Sequence, residues 1–550
     1  MDERFHQAMA EGYALEEPGL ALGAPMHEEA IEPDLRVQLA LSMVNRHGLI
    51  AGATGTGKTK TLQLLAGLLS DAGVPVFVAD VKGDLTGLAA PGDATNPKVQ
   101  SRCESIGWTF APRAHPVEFL SLSGAKGAQV RATVSSFGPL LLGKVLDLNE
   151  TQTSVLSLIF KYCDDNDLPL LDLADLETTL KYLGSDEGKP ILAEYGGMSP
   201  ATVGVILRAI ITTQQEGAGG FFGEPEFDVA DLLRTTPEGT GIITALELAD
   251  VMDKPRLFST FMLWMLAQLY AHLPEVGDLP KPKLTFFFDE AHLLFKDASE
   301  ALMDQVERTI RLIRSKGVGV YFVTQAPTDV PASVLAQLGN RIQHALRAFT
   351  PDDADALRKT ARTFPMTDFY DVERQITALG TGEALVTVLS PRGVPTPLAA
   401  TRLGPPDSLM AALDPTLFAG LARGGPLAAR YTTAIDRESA HEMITARLAA
   451  AKAAAAGAGG VGATGEMTPA QRRAAEAAAR RAATAQRQAE ARANREQAHV
   501  EREQARAEAA AKREAQRTQR EIIRAGTRVF TSRTTQGLIR GVFDTFFGKR

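Results

Sequence analysis

Eight residues, Gly52-Ala53-Thr54-Gly55-Thr56-Gly57-Lys58-Thr59, satisfy the spacing G-x-x-x-x-G-K-[ST] without a mismatch. Each type has a physical reason to be there. Glycines let the backbone turn tightly and approach phosphate oxygens, and successive amides at the start of the next helix bind the anion. Lys58 places a point charge on the β- and γ-phosphates, and the Thr59 hydroxyl ligates Mg²⁺. Lys60 extends the run of residues placed against the nucleotide. A plain Gly-rich turn between strand and helix has no need of Lys58 followed by Thr59. The expected ligands are ATP and Mg²⁺.

Such a site needs a carboxylate at the end of a neighbouring buried strand. Leu284-Thr-Phe-Phe-Phe288 ends in Asp289-Glu290 and supplies two. Asp289 is expected to hold Mg²⁺, directly or through water, and Glu290 to act as general base on the attacking water. The competing reading is an acidic cap pair after a core strand. His292 reads equally as a packing residue or a sensor. The run Tyr321-Phe-Val-Thr-Gln325 also ends in a polar residue, so Gln325 suits a sensor of the γ-phosphate and its water, against a turn residue before Pro327. Asp80 and Asp84 either tune the site or make ordinary turns.

An arginine from a neighbouring subunit often completes phosphoryl transfer. Arg308, Arg311, Arg314, Arg341 and Arg347 are candidates, and Arg341, which opens a strand after Gly339–Asn340, is the first choice. Arg308, Arg311 and Arg314 share one helix face, which also reads as a solvated stripe.

The elements that must position these groups are legible as hydrophobic patterns. Gly48–Ala51 leads into the Gly-rich loop, and Lys60–Ser70 follows with helical spacing. Val74–Ala79, Gly241–Leu246, Leu284–Phe288, Val318–Val323, Arg341–Ala345 and Glu383–Leu389 read as strands, with helices at Lys254–Tyr270 and Glu300–Ser315 between some of them. This alternation predicts an α/β fold, a mainly parallel sheet covered on both faces. Residues 1–30 read as an irregular lead-in, 31–137 as the first part of the core, and 138–235 as a helical insertion. Residues 236–405 complete the core. Residues 406–467 read as short helices and an Ala/Gly linker, 468–525 as a long exposed Ala/Arg/Glu-rich helix, and 526–550 as a basic-apolar end.

Composition excludes several classes. Two cysteines in 550 residues, Cys103 and Cys163, make no disulfide framework and suit a reducing, cytoplasmic setting. No uninterrupted apolar run is long enough for a membrane span, and Leu257–Leu273 is broken by polar residues. The start is polar and acidic, unlike a signal peptide. Net charge is −8, with 58 Lys+Arg against 66 Asp+Glu. From Gln471 onward there are 19 Lys+Arg and 9 Asp+Glu, so the tail carries +10 and the first 470 residues −18. An acidic body with a basic tail suggests an anionic partner for the tail, or simply a solvated helix.

The segments Gly48–Thr59, Asp80-Val-Lys-Gly-Asp-Leu-Thr-Gly-Leu88, Gly220-Phe-Phe-Gly-Glu224, Phe286-Phe-Phe-Asp-Glu-Ala-His292 and Val323-Thr-Gln325 together resemble the HerA–FtsK branch of P-loop ATPases. The nearest pattern is the HerA-like family of the YjgR type, and Gly537–Gly548 resembles that family's end. The resemblance implies a RecA-like core in which Lys58, Thr59, Asp289, Glu290 and Gln325 carry the chemistry. It also implies a homo-oligomer, a hexameric ring that moves or unwinds DNA. Two functions stay open: a DNA translocase or helicase, and a nucleotide-gated scaffold that binds partners without moving DNA. Glu290 beside Asp289 suits water activation better than transfer to an alcohol, which argues against a small-molecule kinase.

Overall fold

The run Leu284-Thr-Phe-Phe-Phe288 is buried along its whole length, as a strand covered on both faces must be. Successive side chains of a strand point to opposite sides. Accordingly Phe286 and Phe288 enter one core and Phe287 the other. The computed structural model describes residues 2–28, 30–296 and 298–459 and builds its sheet from such runs. The strands are β1 (Gly19–His27), β2 (Ala30–Ile31), β3 (Val37–Ala40), β4 (Gly48–Ala51), β5 (Val76–Asp80), β6 (Val117–Ser121) and β7 (Ala128–Gln129). They continue with β8 (Ile243–Glu247), β9 (Leu284–Phe288), β10 (Val318–Thr324), β11 (Asn340–His344), β12 (Glu383–Thr387) and β13 (Ala399–Leu403).

Their order is β2-β1-β13-β12-β11-β4-β10-β9-β5-β8-β6-β7, with β3 paired to β1. Every pairing from β11 to β7 is parallel. Strands β12, β13 and β1 extend that sheet antiparallel. Strand β10 separates β4, which leads into the Gly-rich loop, from β9, which ends in the acid pair. This is the RecA-like arrangement of a P-loop NTPase, and it puts all three motif-bearing strand ends on one edge.

One face of the sheet is covered by the helices Val134–Val145, Glu150–Asp165, Leu173–Gly184, Pro200–Gln215, Pro255–His272 and Glu300–Ile313. Stacked rings tie the central strands together on that side, Phe77 on Phe286 at 4.1 Å and Phe288 on Phe322 at 5.5 Å. Such pairs add about 0.5–1.5 kcal/mol beyond the area they bury. The other face is covered by the helix Lys58–Asp71, through Leu62, Leu65 and Leu69. Residues up to Ala451 make one compact unit.

The first thirty residues are not an irregular lead-in. Asp2 caps a helix, Glu3–Gly12, by accepting from the Arg4 amide, and that helix buries Phe5 and Met9. Strand β1 then pairs with β13 and β3. The helix is under three turns long, and Phe5 and Met9 at i,i+4 are its only large apolar side chains. The expected Ala/Gly linker begins inside a helix, because Ala449–Gly459 continues the helix Ala440–Gly459, and the rest of that reading, 460–467, lies outside the described residues. Alanine's helix propensity outweighs the two glycines at its end. Strands β6 and β13 went unread, being short and mixed in polarity. The readings for 468–525 and 526–550 lie outside the described residues.

Candidate functional site

Strand β4 is only four residues long, and all four are buried. The chain leaves it through Gly52 at φ +155°, Gly55 at +80° and Gly57 at +114°. At Gly52 a side chain would also collide, since its Cβ would lie 2.5 Å from the His344 Cβ. The loop is pinned to its neighbours. The Gly52 amide donates to the Thr324 carbonyl at 3.2 Å and the Ala53 amide to the Ala345 carbonyl at 2.8 Å. The Gly382 amide donates to the Thr56 carbonyl at 2.9 Å, and the Thr56 hydroxyl closes back on the Ala53 carbonyl at 2.7 Å. Ala53, Thr54 and Gly55 form the crown of the loop. Lys58 and Thr59 open the helix Lys58–Asp71, whose first amides have no partner within the helix. The Lys58 ammonium curls back onto the loop and donates to the carbonyls of Gly52 at 2.6 Å and Ala53 at 3.1 Å. Burial lowers its pKa, a cost that the charges of Glu290 and Asp289 partly offset. Thr59 is half-buried at the helix start, and Lys60 one residue on donates to Gln63 at 3.3 Å.

The acid pair sits two strands away on the same edge. Asp289 is buried, and its carboxyl is pushed up to about 7, chiefly by burial and then by the neighbouring Glu290 charge. Its Oδ1 accepts from the Glu290 amide at 2.9 Å. Glu290 stands at φ +49°, a left-handed backbone conformation uncommon for a residue with a side chain. The Lys82 ammonium reaches its Oε1 at 2.8 Å, and the His292 Nδ1 lies 3.5 Å from its Oε2. Gln325 is exposed and follows β10, whose Thr324 lies beside Ala51 in the sheet. Asp329 fixes the turn after it by accepting from the Thr324 hydroxyl at 2.7 Å and the Ala326 amide at 2.9 Å. Lys58, Asp289, Glu290 and Gln325 thus stand at adjoining strand ends.

Asp80 resolves as turn chemistry. Its Oδ1 accepts from the amides of Lys82, Gly83 and Asp84, and its Oδ2 from that of Leu85. This holds the loop that presents Lys82. The sequence alone assigns Lys82 no role. A lysine two residues past a strand-ending acid is the only local sign, and its partner is 208 residues away. Two further groups went unread. Glu247 ends β8 beside Asp80, and burial first, then the Asp80 charge, pushes its carboxyl up to about 8. Its signal, an apolar strand ending in an acid, is the one that marked Asp289. His344 ends β11 behind the loop, bonds the Thr61 hydroxyl at 2.9 Å, and is lowered to about 4 by burial and by the Lys58 charge.

Arg341 is held within its own chain. It lies near the start of β11, level with Leu49, so it is at the other end of the sheet from the loop. Its guanidinium donates to the carbonyls of Thr363 at 2.8 Å, Leu338 at 3.3 Å and Leu335 at 3.4 Å. To reach a neighbour's nucleotide this guanidinium would have to leave those three carbonyls. Arg308, Arg311 and Arg314 are exposed on and just after the helix Glu300–Ile313. Arg347 is exposed three residues past β11, on the loop's edge of the sheet.

The donor set suits a hard cation bound with phosphates. Thr59 and Asp289 offer oxygens only, and among the described residues no group of three or more His, Cys, Asp or Glu forms a metal cage. Mg²⁺ is usually held in this way, by one or two protein oxygens plus the nucleotide.

The comparisons with known proteins follow this geometry. The family model "Helicase HerA-like C-terminal" matches residues 26–550. The chain is 22% identical over 377 residues to the DNA double-strand break repair helicase HerA of Sulfolobus acidocaldarius, and the match spans 65% of each chain. Among solved structures, the plasmid coupling protein TrwB bound to the ATP analogue ADPNP is similar at 14% identity and TM-score 0.47, covering 73% of this chain and 98% of that one. VirB4 of Thermoanaerobacter pseudethanolicus is similar at 14% identity and TM-score 0.45, covering 71% and 98%. Among the described residues, no helix is long and apolar enough to cross a membrane. With the family model covering nearly the whole chain, this chain belongs to the Helicase HerA-like C-terminal family.

Proposed function

We propose that the chain hydrolyses ATP with Mg²⁺ and uses the turnover to translocate along or unwind DNA, as a homo-oligomeric ring of six in the cytoplasm. The observation that carries the hydrolytic part is the placement of Glu290. It sits beside Asp289, two strands from the phosphate loop, on an edge where Lys58 and Gln325 also end. The loop amides and Lys58 hold the phosphates, so Lys58 must exchange its two carbonyl partners for phosphate oxygens. Thr59 and Asp289 would hold Mg²⁺, which supplies positive charge to the phosphate oxygens. Glu290 takes the proton of the attacking water at its carboxylate, and Gln325 orients that water. Lys82 is a positioning residue that holds Glu290 through its Oε1. The exposure of Arg347 supports it over Arg341 as the arginine that acts on a neighbouring subunit's nucleotide.

The DNA part is supported by kinship with a protein named as a DNA repair helicase. The acidic body favours the second reading, a nucleotide-gated scaffold. Steady-state ATPase with and without duplex DNA, together with native mass, separates them. Turnover that rises with DNA in a six-membered assembly supports the motor. DNA-indifferent turnover supports the scaffold, and no turnover under Mg²⁺ sinks both.

A further inference from the structure

The phosphate loop is gripped, on the side away from the acid pair, by the turn that leads into β12. This turn, residues 380–383, is closed by its own acid, since the Gly380 amide donates to the Glu383 Oε2 at 2.8 Å. The Gly382 amide points at the loop and donates to the Thr56 carbonyl at 2.9 Å. The approach is close. A Cβ on Gly57 would lie 3.1 Å from the Gly382 nitrogen. Both glycines stand at positive φ, +114° at Gly57 and +74° at Gly382. The other side of the turn is held by Arg102, from the helix Pro97–Ser105. Its Nη1 donates to the Gly382 carbonyl at 3.0 Å and the Leu403 carbonyl at 3.3 Å, and its Nη2 to the Thr381 carbonyl at 2.8 Å. One guanidinium thus gathers three carbonyls, two of them in the turn that holds the loop.

We propose that Arg102 is a positioning residue for the nucleotide, setting ATP affinity by holding turn 380–383 against the phosphate loop. The inference rests on the reading that the chain hydrolyses ATP, and it adds a residue from outside every motif of the site. The argument is one of direction. A trans peptide carries its C=O and its N–H on opposite sides. With the Thr56 carbonyl fixed on Gly382, the Gly57 amide must point the other way. Successive amides turned to one side are what binds a phosphate. When the turn loosens, the Thr56–Gly57 peptide can rotate, and the loop is ready for phosphate only part of the time. Apparent affinity then falls by that fraction. A bound triphosphate holds the amides itself, so the chemical step at Glu290 is untouched. A planar fork suits this task, because its two amino groups reach separate carbonyls at once.

The test is ATP binding and steady-state ATPase of the full chain with Mg²⁺. Arg102→Met keeps most of the stem and removes the donors. It should raise the Kd and KM for ATP about tenfold, with kcat within about twofold of wild type, the size expected when a charged donor is lost. Arg102→Lys, a single point of charge, should recover only part of the affinity. Gly382→Ala strains the turn from inside, at φ +74° and with a Cβ 3.2 Å from the Arg102 Nη2, and should raise KM as well. Arg102→Met and Gly382→Ala act through one turn, so together they should raise KM by less than the product of the two single effects. Arg131→Met is the control. At the β7 end of the sheet, it removes a buried guanidinium that donates to the Tyr431 carbonyl at 2.9 Å, and it should lose stability with wild-type KM. Wild-type affinity in Arg102→Met and Gly382→Ala overturns the proposal while leaving the chain an ATPase. A fall in kcat at constant KM overturns it too, by putting Arg102 in the chemistry. Equal losses of affinity in Arg102→Met and Arg131→Met overturn it as a general loosening of the fold. Where Arg102→Met does not fold, Arg102→Lys and Gly382→Ala carry the same comparison. A wild-type chain that takes up no ATP overturns the ATPase reading, and this proposal with it.

Discussion

The parallel strands of the sheet run between two rims of opposite character, with acids at the carboxyl ends of β5, β8 and β9 and arginines near the amino ends of β4, β10 and β11. At their carboxyl ends the chain gathers acids that are mostly hidden. Asp80, Glu247 and Asp289 are buried, and two of them are pushed up to about 7 and 8. At their amino ends it gathers exposed arginines around a cleft with no acid. The first rim stores electrostatic energy in desolvated carboxylates and needs a dication and a lysine to balance them. The second leaves its charges in water, where each is worth little. A site for chemistry and an ordinary charged surface therefore look different even before a ligand is considered. The former is preorganised and partly frustrated, and the latter is solvated.

The sharpest break of that contrast is Glu290→Gln. It should cut ATP turnover by ~100-fold or more while ATP binding and duplex affinity persist. Turnover near the wild-type rate would remove Glu290 from the mechanism. Next is the histidine that floors the opposite rim. His47 is fully buried and lowered to about 4, first by burial, while its unfolded pKa is near 6.5. Both ring nitrogens are satisfied only in the neutral form, since Nδ1 accepts from Val320. Between those values the unfolded chain binds the proton more readily. Stability is therefore complete above about 6.5 and falls as pH drops toward 4, by on the order of 3 kcal/mol. Urea unfolding across that window should show a flatter slope for His47→Gln than for the wild type.

Arg341→Ala should cost about 1–2 kcal/mol, because three carbonyls lose a charged donor. Its ATPase rate per folded molecule should hold, whereas a catalytic finger would lose turnover without losing stability. The smallest effect belongs to Lys82. Lys82→Met should lower kcat about fivefold with little change in KM, the size expected of a half-exposed ion pair. Lys82→Arg should recover most of it. A Met variant with wild-type kcat would leave the 2.8 Å contact without a kinetic role.

The phosphate loop and acid pair were legible because their chemistry is written in consecutive residues. Gly52 to Thr59 states its own turn, and Leu284–Glu290 states a buried strand with an acidic end. The same local logic gave β5, β9, β10 and β11 and the helices between them. What escaped depends on convergence. Arg46, Arg314 and Arg392 meet only because β4, β10 and β12 bring their ends together, and no spacing along the chain announces that. The position of Arg341 in the sheet shows a related limit. Its strand was read correctly, but which end faces the loop follows from pairing with β4. Glu3–Gly12 was too short for periodicity to show, since two buried side chains define no stripe.

Glu290 stands in a conformation that residues with a Cβ visit reluctantly, at a cost of order 1–3 kcal/mol. A glycine there would relax the peptide. Glu290→Gly should therefore be inert as a hydrolase and yet melt no earlier than the native chain. Selection for thermal robustness alone would drift toward silence at this position, and only the demand for turnover keeps the carboxylate aimed.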